Sequence, residues 1–321
     1  MLSQEQKSRQ AKVLDIDEIL AEARSRAGLR DFGNDDFLEP LRQLLKCAAE
    51  DVDFHEDGLE DARETTIRDL VNRLRIEDDL KRHPEILDED VSDPIVLLGL
   101  PRCGTTKTHR SIGSDPRLLK TFMWQLINPA RFPDAAAGQP DPRIAAALGQ
   151  DPLLADNPEI RAAHLYGINE IQSDLFLFGL TFNEPTYLQA RMRSPSFHEW
   201  IMQRTHPSSM DNYAYVKKVV QYLQWQQGGR EGRRWLLKNE AAVGDLDALL
   251  AAYPQATLVH LHRDPRVCVP SAISLGKNYL ELRAGNVDVK DIARYTLDRT
   301  KRTLAAHMDV DRRAKRTPLA G

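Results

Sequence analysis

Residues Pro94 to Ser114, PIVLLGLPRCGTTKTHRSIGS, constrain the fold of this chain more than any other stretch. Ile95 to Leu98 is a short, wholly apolar run, the pattern of a strand buried on both faces. Gly99 and Gly104 flank a tight turn, and Thr105 to Ile112 opens a helix. The first amides of such a helix lack intrahelical partners and point back into the turn, where they and the helix dipole bind anions. The unit is a phosphate cradle at the start of an α/β core.

The spacing separates one cradle from another. A Walker A loop has the form G-x-x-x-x-G-K-[ST], with lysine on the terminal phosphates. Gly99 and Gly104 are correctly spaced for it, but Thr105 stands where the lysine belongs, and the cation has moved into the loop as Arg102. A phosphatase cradle with Cys103 as nucleophile needs an arginine one position earlier than Arg110. The segment PRCGTT instead resembles the 5′-phosphosulfate loop of the sulfotransferases that use 3′-phosphoadenosine 5′-phosphosulfate (PAPS), whose usual form is P-[RK]-[ST]-G-T-[TS]. The resemblance implies donor contacts from Arg102, Cys103, Gly104, Thr105, Thr106 and Lys107. Cys103 replaces the usual hydroxyl by a thiol, a weaker hydrogen-bond donor, and Lys107 stands where leucine or tryptophan is commoner.

A second motif agrees. Thr257 to His262 reads as another short strand, followed by Arg263-Asp264-Pro265 and a helical run. Sulfotransferases of this type carry an arginine after such a strand and a serine eight positions later, which together hold the 3′-phosphate of PAPS. Arg263 and Ser271 have that separation. The resemblance is to the bacterial branch of the family and spans most of residues 10–310.

Between the two motifs, Arg234 to Lys238 reads as a further parallel strand, ending in Lys238-Asn-Glu240. Sulfuryl transfer needs a cation on the leaving group and a base for the acceptor's proton, the same logic as phosphoryl transfer without an obligatory metal. Lys238 resembles the family's lysine at this strand end and, with Arg102, is expected to stabilise the transferring group. The histidine that many relatives place two or four residues later is absent, replaced by Glu240 and Ala242. Glu240 is either the base, or a residue that only caps the next helix or pairs with Lys238. The site residues are therefore Arg102, Lys238 and Glu240 for catalysis, and residues 102–107 with Arg263 and Ser271 for the donor.

The fold class that follows is α/β, a P-loop-type three-layer arrangement with a parallel sheet. Residues 1–92 read as an N-terminal helical region packed on the core, because Leu14, Ile19, Leu20 and Ala23, then Leu41, Leu44 and Leu45, then Ile67, Leu70, Val71 and Leu74 recur at helical spacing. Gly28, Gly33 and Gly58 are expected to punctuate those helices, and His83-Pro84 and Ser92-Asp93-Pro94 mark the junction. Residues 93–321 form the sulfotransferase-like domain, with a mostly helical insertion at about 115–232 whose aromatic residues are mainly core and partly acceptor pocket. Residues 133–149 read as a surface loop, or a lid, leading into a short helix.

Other candidates carry less. Glu170 and Asp174 lie one helical turn apart on one face; Glu184 precedes Pro185; His260 and His262 share a strand face without a third metal ligand in suitable spacing; His109 reads as packed. No metal is implied. The net charge of -4 argues against general nucleic-acid binding, three scattered cysteines suggest a reducing compartment, and no signal-like or membrane-length apolar run occurs, so a cytoplasmic location is expected. The expected partner is a small-molecule acceptor with a hydroxyl or amine, and self-association is open. Relatives usually continue past Gly321 with another strand and further helices, so a truncated or diverged member with weak PAPS binding is one expectation. The competing reading is a nucleotide-binding or scaffold protein that keeps the fold and has lost catalysis.

Overall fold

The computed structural model describes residues 2–133, 139–154, 157–164, 166–204 and 207–316. Among them, the apolar run at Ile95–Leu98 forms β1, and Leu118–Leu119, Arg234–Lys238 and Thr257–His260 form β2, β3 and β4. All pairings are parallel, in the order β2-β3-β1-β4. β1 lies between β3 and β4, which explains why Val96, Leu97 and Leu98 are almost completely buried. Val96 pairs with Leu237 on one side and Leu258 on the other. The carboxyl ends of β1, β3 and β4 therefore reach the same edge of the sheet, where open α/β folds bind ligands.

Two details depart from the sequence reading. β2 lies inside the stretch expected to be helical; two leucines carry too little pattern to read, and only pairing with Arg234 and Trp235 makes them a strand. β4 ends at His260, and its Thr257 and Leu258 are exposed because among the described residues it is an edge of the sheet.

The N-terminal region forms four helices, Gln4–Val13, Ile16–Ala27, Leu38–Asp51 and Glu56–Arg82. Every apolar position read from the periodicity there is buried. Ser3 and Gln6 close a capping box, Asp15 caps the second helix, and Gly28 ends it in the left-handed conformation. Gly58 does not punctuate a helix. It sits in the first turn of the fourth one, where an added Cβ would lie 2.0 Å from the Arg283 carbonyl oxygen. The missing side chain lets the chain around Arg283 pass against this helix, as the His55 amide bond to the Arg283 oxygen at 3.1 Å records.

The fourth helix ties two apolar cores together. Ile67, Leu70 and Leu74 pack with the other N-terminal helices and with Phe182, Leu188 and Phe197 of the insertion, while Ile76 and Leu80 pack into the core around the sheet. Arg73 is wholly buried between these groups. Its guanidinium lies 4.2 Å from the Phe37 ring centre and 4.1 Å from that of Tyr215, and it donates to the carbonyls of Phe32, Leu180 and Asn34.

In the insertion, short helices open on proline after a capping side chain, at Asp141-Pro142, Asn157-Pro158, Glu184-Pro185 and Ser194-Pro195. The longest helix there is Pro207–Gln226. The segment read as a loop or lid does lead into a helix, Pro142–Leu148, although its residues 134–138 lie outside the described set. Helices Pro265–Glu281 and Val289–Arg316 complete the fold.

Candidate active site

The three strand ends build the site. After β1 the chain turns through Gly99, whose added Cβ would lie 2.6 Å from the Leu261 oxygen and 2.7 Å from Cys103 Sγ. Glycine is therefore required where the ends of β1 and β4 approach. Gly104 takes φ 107° and starts the helix Thr105–Gly113. Arg102 takes φ 72°, a left-handed conformation that strains a non-glycine residue by about 1 kcal/mol or more. Its side chain is held on both sides, donating to Ser271 Oγ and to the Ala163 carbonyl, each at 3.0 Å.

The two phosphate motifs, far apart in sequence, meet here. Besides the Arg102–Ser271 bond, Arg263 Nη1 donates to the Arg102 carbonyl oxygen at 3.1 Å. Arg263 is otherwise exposed, its guanidinium at the mouth of the cradle. Thr105, Thr106 and Lys107 line the same cavity; Cys103 does not. Its thiol packs inward beside Gly99, accepts the Thr105 amide, and is pushed up by burial.

At the end of β3, Lys238 Nζ lies 3.1 Å from Glu240 Oε1 and donates to Thr106 Oγ1 at 3.3 Å. Glu240 also accepts from Ser173 Oγ at 3.0 Å and from Thr105 Oγ1 at 3.4 Å. Burial opposes the Glu240 charge, but the Lys238 ammonium and these hydrogen bonds outweigh it and hold the carboxyl below its ordinary range. Glu240 lines the cavity and Lys238 lies behind it, its side chain only 3% exposed. A second carboxylate flanks the lysine: Asp174 accepts the Lys238 backbone amide at 2.7 Å and, fully buried, is pushed up to about 7. The two carboxyls are thus shifted in opposite directions: the Lys238 ammonium holds Glu240 down at the cavity, while burial raises Asp174, which lies away from the cavity lining on the Lys238 backbone amide.

The remaining sequence candidates find structural explanations. Glu170 and Asp174 do not share a helix face: Glu170 sits in a turn and pairs with Arg110 at 3.1 Å, while Asp174 opens a short 3-10 helix. Glu184 caps the helix Pro185–Arg191. His109 is buried against the sheet and pushed down to about 3. His260 and His262 stack 4.0 Å apart, and His307 of the last helix joins them at 4.6 Å from His260, yet no metal-binding group of three occurs among the described residues.

Several cavity residues escaped sequence reasoning. His164, pushed down to about 4 by burial and by the charges of Lys238 and Arg102, stands beside the cradle as a neutral imidazole. Tyr166 and Tyr279 join hydroxyl to hydroxyl. Ser173 orients Glu240. A lone His or Tyr carries no local signal; only the Ser-Asp dipeptide before the 3-10 helix hinted at a cap. The cavity they share measures about 710 Å³, and its surface taken as a whole is mainly apolar.

Comparison with known proteins agrees with this geometry. Residues 94–316 match the sulfotransferase family. Omega-hydroxy-beta-dihydromenaquinone-9 sulfotransferase Stf3 of Mycobacterium bovis is 25% identical over 187 residues, 57% of this chain and 45% of the relative. The aligned part thus spans less than half of that protein. Sulfotransferase STF1 from Mycobacterium tuberculosis superposes with a TM-score of 0.74 at 27% identity, over 94% of this chain and 81% of its own. Sulfotransferase STF9 from Mycobacterium avium, at 23% identity, shares the fold with a TM-score of 0.79, over 93% of this chain and 76% of its own. A cradle of the P-R-C-G-T-T type, joined to a matched arginine–serine pair on a parallel sheet, and a family match over the whole α/β part agree: this chain belongs to the sulfotransferase family.

Proposed function

We propose that the chain transfers the sulfuryl group of PAPS to a hydroxyl or amine of a small-molecule acceptor. The observation that carries this reading is the junction at Arg102, whose side chain bonds Ser271 and whose carbonyl is bonded by Arg263. So read, the sites for the two ends of a bisphosphorylated nucleotide adjoin at Arg102. In this reading the cradle amides, Arg102, Thr105, Thr106 and Lys107 hold the phosphosulfate, and Arg263 with Ser271 holds the 3′-phosphate.

In the transfer, the acceptor oxygen or nitrogen bonds to sulfur as the bond from sulfur to the 5′-phosphate oxygen breaks, and the acceptor's proton goes to Glu240. Glu240 suits that role because it is ionised and faces the cavity. Lys238 keeps it ionised and, through Thr106, places positive charge behind the leaving oxygen. The name of the relative Stf3 describes an apolar molecule carrying a hydroxyl, which supports a hydroxyl acceptor in a mainly apolar cavity here.

The test is thermal unfolding with adenosine 3′,5′-bisphosphate (PAP), with ATP plus magnesium, and with buffer alone. PAP should stabilise and ATP should not, and Arg263→Ala and Ser271→Ala should lose the shift. No shift with PAP would refute the donor site. Transfer of labelled sulfate to an acceptor panel follows, with Glu240→Gln as the test of the base; unchanged turnover in that variant would remove Glu240 from the mechanism. PAP binding without transfer to any acceptor would favour the non-catalytic nucleotide-binding reading.

A further inference from the structure

The cavity has a second cationic wall, built from elements other than the cradle. It is formed by the helix Pro185–Arg191, the segment just after it, and the two C-terminal helices with the turn between them, which contribute Arg191, Arg193, Arg283 and Arg299. Three of these arginines have carboxylates. Arg191 faces Asp151 at 3.6 Å and donates to Thr65; Arg193 faces Asp291 at 3.1 Å; Arg283 is bonded to Asp61. Arg299 has no hydrogen bond or ion pair among the described residues. Glu184, a carboxylate whose charge Arg299 favours, spends its oxygens on the Thr186 and Tyr187 amides, at 2.8 and 2.6 Å.

One turn before Arg299 on the same helix, Tyr295 also lines the cavity. Its hydroxyl oxygen is buried and has no hydrogen-bond partner among the described residues. The Arg193 guanidinium stacks on the Tyr295 ring, 4.2 Å from its centre, and fixes the ring's position. The Tyr295 oxygen is closed off from the cavity, so the donor open to a ligand on this helix is the Arg299 guanidinium, whose planar fork suits an acceptor-rich anion. The lining of the same cavity also includes the apolar Leu175, Phe176, Leu275 and Leu280.

From this arrangement we infer that the acceptor is an amphiphile with three parts: a hydroxyl that reaches Glu240, an apolar body, and a carboxylate or other anionic group bound by Arg299. Hydroxy acids of the ω-hydroxyalkanoate type are the simplest members of that class. The inference rests on the proposed sulfotransfer reading for the position of the hydroxyl, while the anion site itself can be tested without any transfer.

The experiment is isothermal titration of the full chain, in the presence of PAP, with ω-hydroxyhexanoic and ω-hydroxydodecanoic acids and with the uncharged diols of the same lengths. At one or both lengths the acid should bind at least about tenfold more tightly than its diol, the effect of one charge-assisted hydrogen bond. Arg299→Gln should bring acid and diol to within about twofold, and Arg299→Lys should retain part of the preference. Equal binding of acid and diol, no binding of either acid, or a preference that survives Arg299→Gln would overturn the inference. The PAP shift judges the donor reading separately, so failure of one is distinguishable from failure of the other.

Discussion

Replacing Lys238 by methionine isolates the electrostatic design of the site. At 3.1 Å, the attraction between Lys238 and Glu240 is worth about 5 kcal/mol at an effective dielectric constant of about 20. Much of this offsets the cost of burying both charges, so the pair adds little net stability while intact. Methionine fills a similar volume but leaves the Glu240 carboxylate buried and uncompensated, a loss of about 3–5 kcal/mol, a large part of a typical domain's stability. The loss depends on pH, with a definite sign. In the wild type the Glu240 carboxyl is held below its ordinary range, so its stabilising contribution is present above that range and disappears as pH falls through the folded value. In Lys238→Met, burial is opposed only by the remaining hydrogen bonds, and the carboxyl rises relative to the wild type. The variant then takes up a proton at acid pH, and its penalty grows as pH rises. Equilibrium urea unfolding at about pH 4.5 and about pH 8 should show wild type and variant nearly converging at the lower value and diverging at the higher. Lys238→Met/Glu240→Gln should recover most of the loss at the higher pH, since it removes the orphan charge. A penalty independent of pH, or a double variant as unstable as Lys238→Met alone, would refute the argument.

Three further outcomes follow from the same structure. Arg73→Ala should cost about 3 kcal/mol or more in urea unfolding, because it strands buried carbonyls and empties the space between Phe37 and Tyr215; Arg73→Lys should not restore it, since lysine lacks the planar fork. Gly58→Ala should lower the melting temperature by an amount equivalent to about 1–3 kcal/mol, although alanine elsewhere in a helix gains up to about 1 kcal/mol, because its Cβ would collide with the Arg283 carbonyl. Asp174→Asn should be more stable than wild type at about pH 8 and lose that advantage at about pH 4. Burial raises the Asp174 carboxyl from 3.8 to about 7, so wild-type stability falls as pH rises through that window, and asparagine removes the dependence while still accepting the Lys238 amide.

The elements with strong local pattern are legible in the amino-acid sequence alone. Periodic leucines and isoleucines set the N-terminal helices, and four consecutive apolar residues before a glycine set β1. β2 is not legible, because Leu118–Leu119 becomes a strand only through its partners on β3. Gly58 misleads for a related reason: helix punctuation and close backbone approach both call for glycine, and only the position of Arg283 tells them apart. Glu170 and Asp174 fit helical spacing, but a turn intervenes and sends the first to Arg110 and the second to the Lys238 amide.

By itself, the sequence determined the strand, glycine-flanked turn and helix around Arg102, and the strand-to-helix turn after β4 at Arg263, because these depend on backbone geometry encoded within a few neighbouring residues. Only the tertiary structure decided that Arg102 bonds both Arg263 and Ser271, that Lys238 stands behind Glu240, and that Arg299 lines the cavity without an ion pair among the described residues. Those relations depend on burial and on contacts between distant segments. Burial sets which charges are neutralised and which remain available to a substrate, and no local spacing records it.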